Sequence, residues 1–158
     1  MSGDYMSSSN VLLILLSVFI LAFSLSAIAA EDVSVAGHSF DIPDGYSVND
    51  TLDTSVKLVN GNNSNYTIFI AQVDESDSNL TIASREVSGF KFLAEENYTS
   101  QSDVEINQQN YLKNDTYFSY YSFDSNNESF VVIYSFPADG DFLEGQDNPV
   151  NTIIETFQ

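Results

Sequence analysis

The sequence has no cysteine and no tryptophan, a single histidine, and only four lysines and arginines in 158 residues. Each shortage closes a class of chemistry. Without Cys there is no disulfide, no thiolate nucleophile or ligand, and no thioether lipid anchor. With His38 as the sole imidazole, a zinc centre could draw on one ring nitrogen and otherwise on carboxylates, a poor set for that ion. A Ser-His-Asp arrangement would have to pass through His38, and no Gly-x-Ser-x-Gly elbow presents a serine to it. The glycines are spread out and form no loop to cradle phosphate. Lys57, Arg85, Lys91 and Lys113 are scattered, so neither nucleic acid nor an anionic lipid surface meets a basic stripe. His38, at the start of an expected strand, reads as a partly exposed bystander whose loss should cost little. Catalytic residues, metal and cofactor are therefore all expected to be none.

What the chain does have in excess is acid. Residues 31–158 carry 22 of the 23 acidic residues and all four basic ones, a net charge of −18 with His38 neutral. Such a surface favours solubility and self-repulsion and suits a cation-rich exterior. So many carboxylates form close pairs by chance, which leaves a glycosidase-like pair without support.

The other excess is apolar. Val11 to Ala30 reads "VLLILLSVFILAFSLSAIAA", free of charge and interrupted only by serines. Ala27-Ile28-Ala29-Ala30 offers small residues at alternate positions, and Glu31-Asp32 follow at once. Residues 1–30 are thus a signal peptide or, if uncleaved, an N-terminal membrane anchor. No Lys or Arg precedes the run, so the positive-inside rule has little to act on. In both cases residues 31–158 form one exported domain, extracellular or at the cell surface, touching membrane only through residues 11–30.

Within that domain the hydrophobic period changes along the chain. "HSFDIPDGYS" alternates and then stops at a Pro-Asp-Gly turn. "SVKLV" and "YTIFIAQV" flank "NGNNSNYT" as a hairpin. The second of them, apolar on both faces, is expected to be central and covered on both sides. Leu80, Ala83, Val87, Phe90 and Ala94 then recur at steps of three and four, which predicts a helix from about Leu80 to Asn97 with Gly89 as a weak point. Strands over "DVEINQQNYL", "TYFSYYSF" and "FVVIYSF" follow. A closing helix starts at Asn148-Pro149 with Val150, Ile153, Ile154 and Phe157 as its apolar stripe. The expected class is α+β: an antiparallel sheet with two packed amphipathic helices.

"FDIPDGY", the hairpin, the amphipathic helix, the three-strand meander and "NPVNTIIETF" together resemble the PsbP-like α/β/α sandwich. They resemble still more the small exported domains of methanogenic archaea that open on Phe-x-Ile-Pro-x-Gly-Tyr. The resemblance implies a non-catalytic extracytoplasmic domain and transfers no site residue.

Two ligand readings remain open. "DESDSN" (Asp74–Asn79) and "DGDFLEGQD" (Asp139–Asp147) concentrate oxygen ligands of the kind calcium takes, without the spacing of the twelve-residue calcium loop. In "TYFSYYSF", Tyr117, Tyr121 and Phe123 share one strand face and Phe118 and Tyr120 the other, so one face could serve as an aromatic platform if it is not core.

The asparagines carry the strongest signal. Asn-x-Ser/Thr, the acceptor for N-linked glycans, occurs at Asn49, Asn62, Asn65, Asn79, Asn97, Asn114 and Asn127. Composition alone would produce about 2.6 in residues 31–158, by the frequency of the motif's members. Five of the eight threonines there occupy the third position of an acceptor, where about one would fall by chance. The reading is an exported, N-glycosylated protein with a non-catalytic binding or structural role and an unidentified protein or envelope partner. The alternative is a membrane-tethered module for calcium or an aromatic-face ligand, with a small hydrolase third.

If the first segment is a signal peptide, mature chains begin at Ala30 or Glu31. Intact-mass measurement on protein from native cells decides this; membrane-bound chains starting near Met1 establish the anchor instead.

Overall fold

The computed structural model describes residues 33–74, 82–139 and 148–158. Its elements in chain order are β1 (Val33–Val35), β2 (His38–Phe40), β3 (Tyr46–Leu52), β4 (Ser55–Asn60) and β5 (Thr67–Val73), then α1 (Ile82–Val87), followed by β6 (Lys91–Thr99), β7 (Glu105–Lys113), β8 (Thr116–Ser125), β9 (Glu128–Pro137) and α2 (Pro149–Thr156). Strands β3 to β9 form one seven-stranded antiparallel sheet in the order β3-β4-β5-β9-β8-β7-β6, and β1 and β2 form a separate two-stranded ribbon. The sheet is thus two meanders, β3 to β5 and β6 to β9, joined where β9 pairs with β5.

Turn chemistry sets the hairpins. Ala36-Gly37, Asn114-Asp115 and Asn126-Asn127 all have positive φ at both central residues. That is the two-residue turn whose twist matches paired strands, and Asn, Asp and Gly are the residues that tolerate it.

One face of the sheet is the core. Val56 and Leu58 of β4, Ile68 and Ile70 of β5, Tyr121 and Phe123 of β8, and Phe130 and Val132 of β9 line it by register and are buried. Helix α2 closes it with Val150, Ile153 and Ile154, and the β1–β2 ribbon with Val33, Val35 and Phe40. Each such side chain is worth about 1.5–3 kcal/mol on burial. Asn148 starts α2 from a buried position. Its Oδ1 accepts from the Val150 N–H at 3.0 Å, and its Nδ2 donates to the Tyr121 hydroxyl at 2.5 Å. Beyond the helix, Gln158 and Ser39 exchange both backbone hydrogen bonds, at 3.0 and 2.9 Å, so the C-terminus extends the β1–β2 ribbon.

The expected α+β class with two packed helices is corrected here, because the architecture is predominantly β. The segment from Leu80 to Asn97 is not one helix. Its described part is the six-residue α1, a turn, and then the edge strand β6. Gly89 explains the change. It has φ +86°, its N–H donates to the Glu86 carbonyl, and the Phe90 N–H donates to the Arg85 carbonyl. This is the paired bonding that ends a helix on a left-handed glycine, so Gly89 is a stop and not a weak point. After it the chain pairs with β7, and an irregularity between Phe92 and Ala94 turns Phe92 toward Tyr111 on one face and Ala94 and Tyr98 toward the other. A PsbP-like two-helix sandwich does not describe this chain.

The second correction concerns β5. Ile68 and Ile70 are fully buried on the core face, but Phe69 on the opposite face is 39% exposed. Opposite the core, α1 and its turn sit against the β6–β8 end of the sheet. The Arg85 guanidinium lies over the Tyr120 ring at 4.0 Å and the Tyr111 ring at 5.2 Å, and donates to Gln109 and to the Tyr111 hydroxyl. Lys113 Nζ lies 4.4 Å from the Phe90 ring centre and donates to the Ser88 carbonyl. Two of the few cations thus anchor α1 through desolvated ring faces.

Asn148→Ala removes both the helix cap and the donor to Tyr121, and should cost about 1–3 kcal/mol in urea denaturation. Asn148→Ser restores the cap alone and should recover roughly half of that loss.

Candidate functional site

His38 lies in strand β2 as expected, but it is buried, not partly exposed. Its residue exposure is 7%. The ring stacks on Phe157 at 5.3 Å with an interplanar angle of 12°, and meets Phe130 edge-on at 4.9 Å. Its Nε2 is 2.8 Å from Oε2 of Glu128, at the start of β9. An ionised carboxylate can only accept, so Nε2 is the donor. The other Glu128 oxygen accepts from Gln72 Nε2 at 2.9 Å. Three residues from β2, β5 and β9 therefore make one chain, His38–Glu128–Gln72, at the border between ribbon and sheet.

That chain reaches solvent on the side of Glu128, whose side chain is 42% exposed. Glu128 and Gln72 help line an open depression of about 520 Å³, together with the β1–β2 turn at Ala36 and Gly37 and the β3–β4 turn at Asp53 and Thr54. Ala36 N–H donates to the Asp53 carbonyl at 2.7 Å, which locks the two turns together. The chemistry on offer is narrow. His38 Nδ1 is buried and has no hydrogen-bond partner among the described residues, so it is placed to contact neither solvent nor a ligand in the depression. The imidazole works as an aromatic core residue with one polar tether, and a general base needs a reachable nitrogen.

The aromatic strand splits as its alternation implies, and both faces are already engaged. Tyr121 and Phe123 are core, while Tyr120 lies beneath Arg85. Burial raises the Tyr121 and Tyr120 hydroxyls above the usual tyrosine range, and pushes Tyr98 up to about 12. Tyr134, hydrogen-bonded to Tyr46 at 3.3 Å, is raised for the same reason. On the exposed part of β6, hydrogen bonds from Asn107 and Gln109 hold the Glu95 carboxyl below the usual carboxylate range. Of the two calcium-type loops, only Asp74 and Asp139 are among the described residues, and nowhere among the described residues do three acidic or imidazole groups converge on one point.

Six of the seven acceptor asparagines are described, and all six are exposed. Asn79 lies outside the described residues, as do residues 11–30. Asn114 and Asn127 sit at positive-φ turn positions, where Asn is favoured for its backbone alone. The "NGNNSNYT" loop divides its labour differently. Asn60 Oδ1 accepts from the N–H groups of Asn62 and Asn63, and Asn63 Oδ1 from that of Asn65. The side chains that build the turn belong to Asn60 and Asn63, and those of the acceptors Asn62 and Asn65 are not used for it. Asn49 and Asn97 lie in β3 and β6, the two edge strands, where Asn is a poor strand former. The expectation that every acceptor lies at a turn or an element end is corrected for these two.

No family model matches the chain, and no curated protein matches it. Among solved structures it is similar to a crystal structure from Bacteroides thetaiotaomicron, with 14% identity and a TM-score of 0.46 over 80% of this chain and 46% of that one. The chain thus spans less than half the length of that structure.

Sequence reasoning missed Glu128 and Gln72. Glu128 meets His38 across 90 positions of sequence and Gln72 meets Glu128 across 56, and nothing local marks them. His38→Ala should cost about 2–4 kcal/mol, because it empties a ring-sized space between two phenylalanines. Glu128→Gln keeps a polar partner and should cost less than about 1 kcal/mol. Equal losses in chemical denaturation would show that the hydrogen bond to Glu128, not the ring packing, holds the ribbon.

Proposed function

We infer that this chain is an exported, N-glycosylated domain of the cell envelope or medium with a non-catalytic binding or structural role. The observation that carries the reading is the division of labour in residues 60–65. If asparagine were present there only to make a turn, the turn-making side chains and the acceptor side chains would coincide. They do not: Asn60 and Asn63 accept the loop's backbone bonds, and Asn62 and Asn65 carry the Ser64 and Thr67 hydroxyls two residues on. Asn49 and Asn97 do not add to this, since Asn49 stands at the irregularity of β3 and the Asn97 side chain accepts from Asn107 across the β6–β7 pair. Glycans at these positions would mask exposed strand edges and hairpin ends and protect them from proteases.

The non-catalytic half of the reading rests on His38. Its accessible polar link is Glu128, and its remaining ring nitrogen faces the interior. A positioned base, nucleophile and substrate cleft are the minimum for hydrolysis, and this arrangement supplies none of them together.

Glycopeptide mass spectrometry on protein from its native cells tests the proposal. The expected result is occupancy at Asn62 or Asn65, which lie too close in sequence for both to be filled freely, and at Asn49 or Asn97. Protein from a host lacking the transferase should fold to the same core, since Ile68 and Ile70 do not depend on sugar, but should be nicked faster at the hairpin loops. Seven bare asparagines on exported protein overturn the reading.

A further inference from the structure

We propose that the sheet face opposite α2 is a self-association surface, on which a second copy of this chain packs sheet to sheet. By register, Val59 of β4, Thr67 and Phe69 of β5, and Val131 and Ile133 of β9 project from this face, beside the part of it that Phe90 and Arg85 cover at Phe118 and Tyr120 of β8. Phe69 is 39% exposed and the others are partly exposed. Leu52 of β3, 64% exposed, projects from the same face. Charge selects the occupant. Strands β5 and β9 project no charged side chain here. The carboxylates that do project from it, such as Asp50 and Asp124, lie on an edge strand or at a strand end, and Asp50 is directly opposite Lys57. Lys57, Arg85 and Lys113, three of the four cations, lie on this side as well. On a domain of net charge −18, this is the described surface across which two copies can meet without setting carboxylate against carboxylate.

The acceptor asparagines agree with this placement. Those described lie at hairpin turns and on the two edge strands, around the rim of the face and not on its centre. The proposal does not depend on their being glycosylated. The four strands left uncovered, β3, β4, β5 and β9, about 4.8 Å apart and about seven residues long at about 3.3 Å each, make a patch of roughly 440 Å² on each copy. That is at the small end of specific interfaces, so association in the micromolar range is expected.

The test is sedimentation equilibrium of the native protein from about 1 to 100 μM, the range that such an interface implies, repeated on unglycosylated protein. A monomer–dimer equilibrium is expected in both, tightening as salt screens the mutual repulsion of two anionic molecules. Phe69→Thr, which keeps a good strand former, should weaken the dimer at least tenfold while the melting temperature of dilute, monomeric protein changes little, and Leu52→Asp, at a more exposed position, should weaken it too. A photo-crosslinker at Phe69 should yield a product of twice the chain mass. A wild-type monomer throughout the range, a dimer unaffected by both substitutions, or a crosslink to a lipid or a different protein overturns the proposal. Bare asparagines with an intact dimer would refute the glycan reading and leave this one standing.

Discussion

The rest of the structure depends on how one sheet face is kept dry by very little helix. Seven strands satisfy their own backbone bonds, but Val56, Leu58, Ile68, Ile70, Phe130 and Val132 gain nothing until something covers them. The cover is α2, eight residues long, together with a ribbon of three-residue strands. A helix that short has no stability of its own in water. It persists because it is tied down at both ends: Asn148 to Tyr121 of β8 at the start, Glu155 to the Gln101 N–H and Gln158 to Ser39 at the finish. His38 belongs to the same system, joining the ribbon to Glu128 by one hydrogen bond and to Phe157 and Phe130 by ring contact. The lone histidine of the chain is thus a fold residue.

Legibility followed the range of the interactions. The β4–β5, β7–β8 and β8–β9 hairpins were readable because their determinants are local, polar Asn-rich turns between apolar strands, whereas the three-residue β1 and the largely exposed β3 leave too weak a pattern and were not read. The closing helix was readable for the same reason, with Asn148 as cap, Pro149 in the first turn and one apolar stripe. The stretch around Gly89 was misread because Ala83, Val87, Phe90 and Ala94 fit a helical period, while the strand that follows is irregular between Phe92 and Ala94 and so shows no clean period of two. The glycine decided between them, and it reads as a stop once its φ of +86° is known. The burial of His38 was not readable at all. A partner 90 residues away leaves no local pattern, and exposure on the second face of β5 depends on what the rest of the chain does not cover.

The acidity of the domain also constrains how it can meet other molecules. An exposed strand edge is the usual route by which sheet proteins associate, and both edges here are obstructed. The β3 edge has an irregularity between Val48 and Asp50, and the β6 edge one between Phe92 and Ala94, each breaking the even row of groups an incoming strand would need. Glu95 and Glu96 on β6 and Asp50 on β3 add charge along those same edges. Elsewhere the net charge repels a second copy. On the face opposite α2, β5 and β9 carry neither bulge nor carboxylate, although a solvent-facing strand such as β5 could carry Thr in place of Phe69 at little cost to its own pairing. A chain that blocks its edges and charges most of its surface, yet leaves Leu52 and Phe69 exposed on one face, concentrates its capacity for contact on that face.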